Sequence, residues 1–207
     1  MAKFGDVFMV INNAGIVQGK QFTELNDTLS SKQFVVNLEC HFWIIKEFIG
    51  PMIEKNEGHI VSIASMAGYL GTPYLSDYCA SKAGAIAMME ALRMELKRKG
   101  KFGVKCTTIC PFFINTGMFQ GTKGSIFFPF LEQEYVIKRM VSGILQDEEE
   151  VCLPWIQGFL VNVGRTLFPP SVTDRILQFF LGWDSMADFK GRQEKNAIFK
   201  TDEKKQN

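Results

Sequence analysis

Ile60-Val61-Ser62-Ile63-Ala64-Ser65, with Tyr78-Cys79-Ala80-Ser81-Lys82 thirteen residues beyond Ser65, decides how this chain folds. The run Ile60 to Ala64 is apolar and β-branched, the pattern of a buried strand. Ser65 then stands at a strand's C-terminal end, where α/β sheets usually bind ligands. Tyr78 and Lys82 are four apart, so on a helix they share one face about a turn from each other. A free tyrosine has a pKa of about 10, too high for a base at neutral pH. Lowering it by two to three pH units costs roughly 3–4 kcal/mol. One ammonium about 4 Å away supplies on the order of 4 kcal/mol near a protein surface. The pair is a minimal way to make a phenolate that takes a proton from an alcohol. The alternative is an ordinary helix pair, and the rest of the chain has to decide.

Working outward, strand-like and helix-like segments alternate. Val7 to Ile11 reads as a strand, Gly19 to Thr28 as a loop, and a long helix runs from a cap at Ser30 or Ser31 to about Ile53, closed by Asn56-Glu57-Gly58. Ile60 to Ala64 is the next strand, and Asp77 through Lys99 a helix with a small-residue seam at Ala80, Ala83, Ala87 and Ala91. Val104 to Cys110 is a strand ended by Pro111. Glu132 to Gln146 is an amphipathic helix, Glu148-Glu149-Glu150 a short solvated charge run, and Val151 to Leu153 a last strand. This alternation predicts an α/β fold with a parallel sheet. Residues 1–153 are expected to form one partial α/β domain that carries the site, 154–189 an apolar helical lid or membrane-associating extension of the same domain, and 190–207 a polar tail.

Three further stretches join the first. Asn12-Asn13-Ala14-Gly15 follows the run Val7 to Ile11. Asn37 lies within Val35-Val36-Asn37-Leu38, in a helical stretch. Pro111-Phe112-Phe113-Ile114-Asn115-Thr116-Gly117 follows the run Val104 to Cys110. In order and spacing these resemble the short-chain dehydrogenase/reductase family, over nearly the whole chain. Cys110 through Phe119, with the apolar tail, looks most like the 16C branch that holds epidermal retinol dehydrogenases and lipid-droplet 17β-hydroxysteroid dehydrogenases. The resemblance implies a Rossmann-like doubly wound sheet and oxidation of an alcohol to a carbonyl with NAD or NADP, NAD being favoured.

By the same resemblance, Tyr78 is the base, Lys82 depresses its pKa and bonds the nicotinamide ribose, Ser65 orients the substrate oxygen, and Asn37 holds a water that links Lys82 to solvent. Asn13, Ala14 and Gly15 line the adenosine side of the cofactor, with Tyr78, Lys82, Pro111, Ile114 and Thr116 at the nicotinamide end. The family usually has Pro-Gly where this chain has Pro111-Phe112. Ser65, Met66, Tyr74, Phe113 and Met118 are expected to contact substrate, amid further apolar neighbours such as Phe119, Phe127 and Phe128. Such a pocket suits a retinoid, a steroid or a long-chain alcohol.

The family's Gly-rich pyrophosphate turn has no counterpart here, because no stretch reads G-x-G-x-x-G. Nor is there the acidic residue that selects the adenosine ribose, so the sequence leaves NAD against NADP open. Three strand–helix units, roughly 90 residues, stand before Asn12 in the family. In a sheet of order 3-2-1-4-5-6 the first strand pairs with the fourth. Without it, Val7 to Ile11 is expected to be an edge strand with apolar faces. The expectation is a fragment, a shortened isoform or the product of a degenerate gene. Met1 to Asp6 looks like the end of a helix, with no secretory signal and none of the branch's hydrophobic anchor. The alternative function is therefore a catalytically inactive chain that acts at most as a lipid- or partner-binding module.

The 207 residues carry a net charge of +1 and 46 % apolar side chains, enough for one core and without the basic stripe of a nucleic-acid binder. Five cysteines without C-x-x-C spacing are expected to be reduced, and His41 and His59 to be ordinary helix and loop residues rather than metal ligands. No metal is expected. No run reaches the ~20 apolar residues of a spanning helix. The tail, Trp155 to Phe168 and Val172 to Leu181, is either a helical pair closing over the pocket or an amphipathic surface that dips into a membrane or lipid droplet. By resemblance the protein is expected at the cytosolic face of the endoplasmic reticulum or on lipid droplets, as a homodimer through the two long helices.

Overall fold

A computed structural model describes residues 5–125, 128–182 and 184–191. Met1 to Phe4, Phe127 and the tail beyond residue 191 lie outside them. The sheet has four parallel strands in sequential order: β1 (Met9–Asn12), β2 (Gly58–Ile63), β3 (Val104–Pro111) and β4 (Glu150–Leu153). Alternation along β2 sends successive side chains to opposite faces. Ile60 packs with Val10, Ile45, Met52, Met89 and Leu96 beneath helices α2 (Cys40–Lys55) and α3 (Ser76–Arg98). Val61 packs on the other side with Ile109, Val136 and Val151 beneath α4 (Gln133–Leu145). Both faces are covered, as a parallel sheet demands, and the α/β class expected from the sequence is the one observed.

β1 pairs only with β2 among the described strands. Phe8 is 57 % and Ile11 53 % exposed, so this border of the sheet is open and apolar. The expected edge is present.

The long helix before β2 starts earlier than its sequence suggests. Asn26, not Ser30 or Ser31, supplies the cap: its Oδ1 accepts the Leu29 N–H at 3.0 Å. Helix α1 (Asp27–Phe34) follows at once. Ser30 is drawn into a contact with Asp77 instead, its hydroxyl donating to Oδ2 at 3.0 Å. A single π-helical turn, Val35–Glu39, separates α1 from α2 and is centred on Asn37. Such turns frequently mark functional positions. Asn56 then closes α2 in the left-handed conformation (φ 52°), a conformation asparagine tolerates.

The acidic run is not idle. Glu149 pairs with Arg93 at 3.0 Å and Lys97 at 2.5 Å. Glu148 receives both guanidinium nitrogens of Arg139, and Glu150 takes the Tyr69 hydroxyl at 2.8 Å. Three neighbouring cations and a phenol were brought near by folding, which a local charge count could not anticipate. Ala80, Ala87 and Ala91 lie on the exposed side of α3, while Ala85, Met89 and Leu96 face the sheet. Three of the four alanines of the seam thus face away from the sheet, Ala83 being half-buried.

The turn entering β3 has one position with no room. A Cβ at Gly103 would lie 1.9 Å from the Asn56 carbonyl oxygen, and that atom is backbone. Gly103→Ala is expected to destabilise the chain by about 1–3 kcal/mol, read as a lowered denaturant midpoint with unchanged slope.

Candidate active site

Three chemically active side chains meet at the C-terminal end of β2. Ser65 follows β2 and caps a short 3-10 turn (Met66–Gly68), its Oγ accepting the Ala67 N–H at 3.1 Å. The same hydroxyl is 3.4 Å from the Pro111 carbonyl and near enough to the Tyr78 phenol to favour its ionised form. Tyr78 and Lys82 lie on the buried face of α3, 5 % and 3 % exposed. The Lys82 ammonium is 5.9 Å from the centre of the Tyr78 ring and donates to the Ile63 carbonyl at 2.7 Å. Gly68 allows this convergence: a Cβ there would stand 2.5 Å from Ile86 and 3.0 Å from the Lys82 carbonyl group.

Asp77, missed in the sequence, fixes the start of α3. It is 6 % exposed; its Oδ1 accepts the Tyr78 N–H at 2.8 Å, and its Oδ2 accepts from Ser30 at 3.0 Å and Gln18 at 3.3 Å. A carboxylate at a helix N-terminus is the usual signal for such a role, and it stood one residue from Tyr78.

Asn37 is fully buried. Its amide spans both backbone groups of Ile16, accepting N–H at 2.8 Å and donating to the carbonyl at 3.0 Å. A second donor bond reaches the Ser81 hydroxyl at 3.0 Å. Asn37 therefore pins the turn after β1 to α3. His41, one turn further along the same helical face, also reaches that turn, its Nε2 lying 3.0 Å from the Ala14 carbonyl. Sequence reasoning treated His41 as an ordinary helix residue; its spacing of four from Asn37 was the available signal.

Asn13 and Ala14 are exposed and Gly15 half-buried at the C-terminal end of β1. A Cβ on Gly15 would meet Lys82 Nζ at 3.4 Å and Asn37 Oδ1 at 3.6 Å, so the missing side chain leaves room beside the ammonium. Lys82 spends one N–H on Ile63 and has two left for a ribose hydroxyl. Thr116 is exposed, its Oγ1 3.5 Å from the Met118 N–H, and Ile114 bridges to Leu131. These residues fit the ribose–nicotinamide end of a dinucleotide. Among the described residues no group of three or more His, Cys, Asp or Glu side chains could hold a metal ion.

The wall over Tyr78 is aromatic. Leu75, Phe113 and Met186 are buried beside it, with Tyr74, Phe119 and Phe189 packed against them. Phe119 meets Tyr78 edge-on at 6.1 Å and Phe113 at 4.9 Å. Met66, by contrast, turns into the core with Ala64, Leu70, Cys110 and Val161. The structure thus puts Phe113 and Tyr74 at the wall but Met66 behind it, and Met118 is half-buried outside that cluster. A cavity of about 260 Å³ lies elsewhere, between α3, β3 and β4, lined by Tyr69, Arg93, Cys106, Glu149 and Asn162; it includes none of the three convergent side chains.

Burial governs the protonation of the site. It pushes the Tyr78 phenol up to about 12, with the Ser65 hydroxyl opposing, and pushes Lys82 down to about 8. The lowered phenol expected from the sequence is not what this fold gives: desolvation of a sealed phenolate exceeds the help from its neighbours. Lys82→Met, which keeps the stem and removes the charge, is expected to stabilise the chain at pH 7 by on the order of 1–3 kcal/mol. Below pH 8 both folded and unfolded lysines are charged and the burial cost is complete; it fades as pH rises from 8 to the ordinary value of 10.5. The advantage of the variant should shrink over that window in chemical denaturation. A less stable variant at pH 7 would show that the bond to Ile63 outweighs desolvation.

The family model described as short chain dehydrogenase matches residues 1–125. Epidermal retinol dehydrogenase 2 of mouse is 41 % identical over 194 residues, which are 92 % of this chain and 62 % of the mouse protein. Retinol dehydrogenase 10-B of zebrafish is 41 % identical over 172 residues, 81 % of this chain and 51 % of the relative. Short-chain dehydrogenase/reductase family 16C member 6 of cattle is 38 % identical over 208 residues, 98 % of this chain and 64 % of the relative. The chain spans about half to two thirds of the length of these curated relatives. A Ser, Tyr and Lys converging at the end of a parallel strand, together with these matches, place the chain in the short-chain dehydrogenase/reductase family, among its 16C-like members.

Proposed function

We propose that this chain carries the alcohol-handling half of an NAD(P)-dependent oxidoreductase that converts a lipophilic alcohol, of the retinol or steroid kind, to its carbonyl. The observation that carries this is the meeting of Ser65, Tyr78 and Lys82 beneath the Phe113–Phe119 wall. A substrate hydroxyl held between Ser65 and Tyr78 has a donor and an acceptor for its oxygen. Tyr78 takes the hydroxyl proton, and Lys82 is the nearest cation able to stabilise the phenolate once it forms. At 5.9 Å from the ring that attraction is about 3 kcal/mol at an effective dielectric near 20. A phenol near 12 is protonated at neutral pH, which suits the reverse step, giving a proton to a carbonyl oxygen. Bound nicotinamide supplies the hydride acceptor. Lys82, with Tyr78, would hold its ribose, and Pro111, Ile114 and Thr116 would border its ring. Asn13 and Ala14 would flank the adenosine side, with Gly15 next to them facing the Lys82 ammonium and the ribose that it holds. The π turn at Asn37, a feature frequent at functional sites, would hold a water joining Lys82 to solvent. NAD is favoured over NADP.

The test is oxidation of all-trans-retinol with NAD, followed by absorbance of the reduced cofactor. Tyr78→Phe is expected to cut turnover roughly 10²–10⁴-fold with an unchanged melting temperature. Retained turnover would overturn the assignment of Tyr78.

One observation favours a second, compatible reading, association with a lipid surface. Helices α5 (Trp155–Leu167) and α6 (Pro170–Leu181) expose Trp155 at 67 %, Leu160 at 59 % and Phe179 at 79 %. Val161 and Met186 anchor this extension to the core, so cutting it away would also open the site. No helix among the described residues is long and apolar enough to cross a membrane. Contact of α5 and α6 themselves with an endoplasmic reticulum or lipid-droplet surface would be peripheral, whether or not the chain is catalytic. The exposed Ala80, Ala87 and Ala91 on α3, with exposed Phe42 and Trp43 on α2, would serve a homodimer. For the lipid surface, Leu160→Asp with Phe179→Asp should lower cosedimentation with phosphatidylcholine vesicles about ten-fold or more, since each apolar side chain withdrawn is worth over 1 kcal/mol. Unchanged partitioning would count against it.

A further inference from the structure

The turn Asn12 to Ile16 has almost no apolar support. Asn13 and Ala14 are exposed and Gly15 has no side chain. Four hydrogen bonds from one helical face hold it instead. Asn37 takes both backbone groups of Ile16. His41 Nε2 lies 3.0 Å from the Ala14 carbonyl, and the His41 carbonyl accepts the Asn12 amide at 3.1 Å. A carbonyl oxygen can only accept, so Nε2 must carry the proton and Nδ1 the lone pair. His41 is 1 % exposed, and its Nδ1 is buried with no hydrogen-bond partner. A side chain placed only to fill space would be apolar, because an unpaired buried acceptor is costly. The bond to Ala14 is what an imidazole provides there and a hydrocarbon would not. Burial and the nearby Lys82 charge both push His41 down in pKa, which keeps the ring neutral and the donor in place.

The turn matters because Gly15 borders Lys82. The atom that would be its Cβ stands 3.4 Å from Nζ, so a small outward or inward movement of Ala14 and Gly15 changes the room beside the ammonium.

We infer that His41 is a positioning residue: a neutral imidazole, protonated on Nε2, that holds the Ala14 carbonyl and thereby sets the gap between Gly15 and Lys82 in which the ribose–nicotinamide end of the cofactor is seated. The cofactor part of this rests on the proposed function; the hold on the turn does not.

Nitrogen-15 NMR of the chain labelled at histidine reads the tautomer of His41, and amide hydrogen exchange reads the turn. His41→Phe keeps the ring bulk without the donor, and His41→Gln offers an amide N–H in its place. The expected results are an Nε2-protonated neutral ring in the unmodified chain, exchange at the Ile16 amide about ten-fold faster in His41→Phe with β2 and β3 unchanged, and recovery towards the original rate in His41→Gln. Affinity for reduced nicotinamide mononucleotide, titrated by fluorescence, should fall and recover in the same order. An Nδ1-protonated ring, or an Ile16 amide as protected in His41→Phe as before, overturns the inference. If His41→Phe does not fold, the tautomer and His41→Gln decide: a Gln variant whose Ile16 amide stays as unprotected as in free peptide refutes it. Failure of the unmodified chain to bind the mononucleotide, with tautomer and exchange as expected, removes the cofactor role and leaves the hold on the turn supported.

Discussion

The Lys82 ammonium, sealed beside the end of β2 with the Ile63 carbonyl as its hydrogen-bond partner, is the constraint around which the rest is arranged. A buried cation is tolerated only where several groups meet it. Here strand β2 gives a carbonyl, the turn after β1 gives an empty glycine position, and α3 gives the stem. Each comes from a different part of the chain. Their meeting requires β1, β2 and α3 to hold one register, which the two covered faces of the sheet enforce. The same sealing that makes the Lys82 ammonium a stronger acid makes the Tyr78 phenol a weaker one, so the site is set by desolvation before any charge pairing is counted.

Much of this was legible because period and punctuation agree. The apolar runs at Val10, Ile60, Ile109 and Val151 became four parallel strands in sequence order, and Pro111 and Asn56 stopped their elements where such residues do. The Ser65, Tyr78 and Lys82 convergence also followed from strand end and helix spacing. What escaped was set by contacts between distant segments. Ser30 looked like a cap but is held by Asp77, and Asn26 took its place. His41 looked incidental because its partner, Ala14, is 27 residues away. Met66 adjoins Ser65 in sequence yet faces the other side of the turn, a direction that no local pattern fixes. The protonation of Tyr78 depended on how completely it is enclosed, which a pairwise estimate from spacing omits.

The aromatic wall shows how the C-terminal extension is tied to the site. Met186 lies buried with Tyr78 and Phe113, and the Phe189 ring lies tilted beside Phe119 at 6.2 Å. Gly19 makes room for that ring, since a Cβ there would stand 2.2 Å from it. The segment that follows the exposed α5–α6 pair thus forms part of the enclosure around the phenol. Contact of those helices with a surface and access to the site share one piece of chain.

Gly68 carries a last consequence. Its bare Cα lies against the main chain of Lys82, so the serine-bearing turn and the tyrosine-bearing helix are in contact backbone to backbone, with no side chain between them to absorb change. Variation can reshape the aromatic enclosure residue by residue. It cannot retune the spacing of Ser65 from Tyr78 and Lys82 in the same gradual way, because at this junction there is no intermediate size between glycine and a clash.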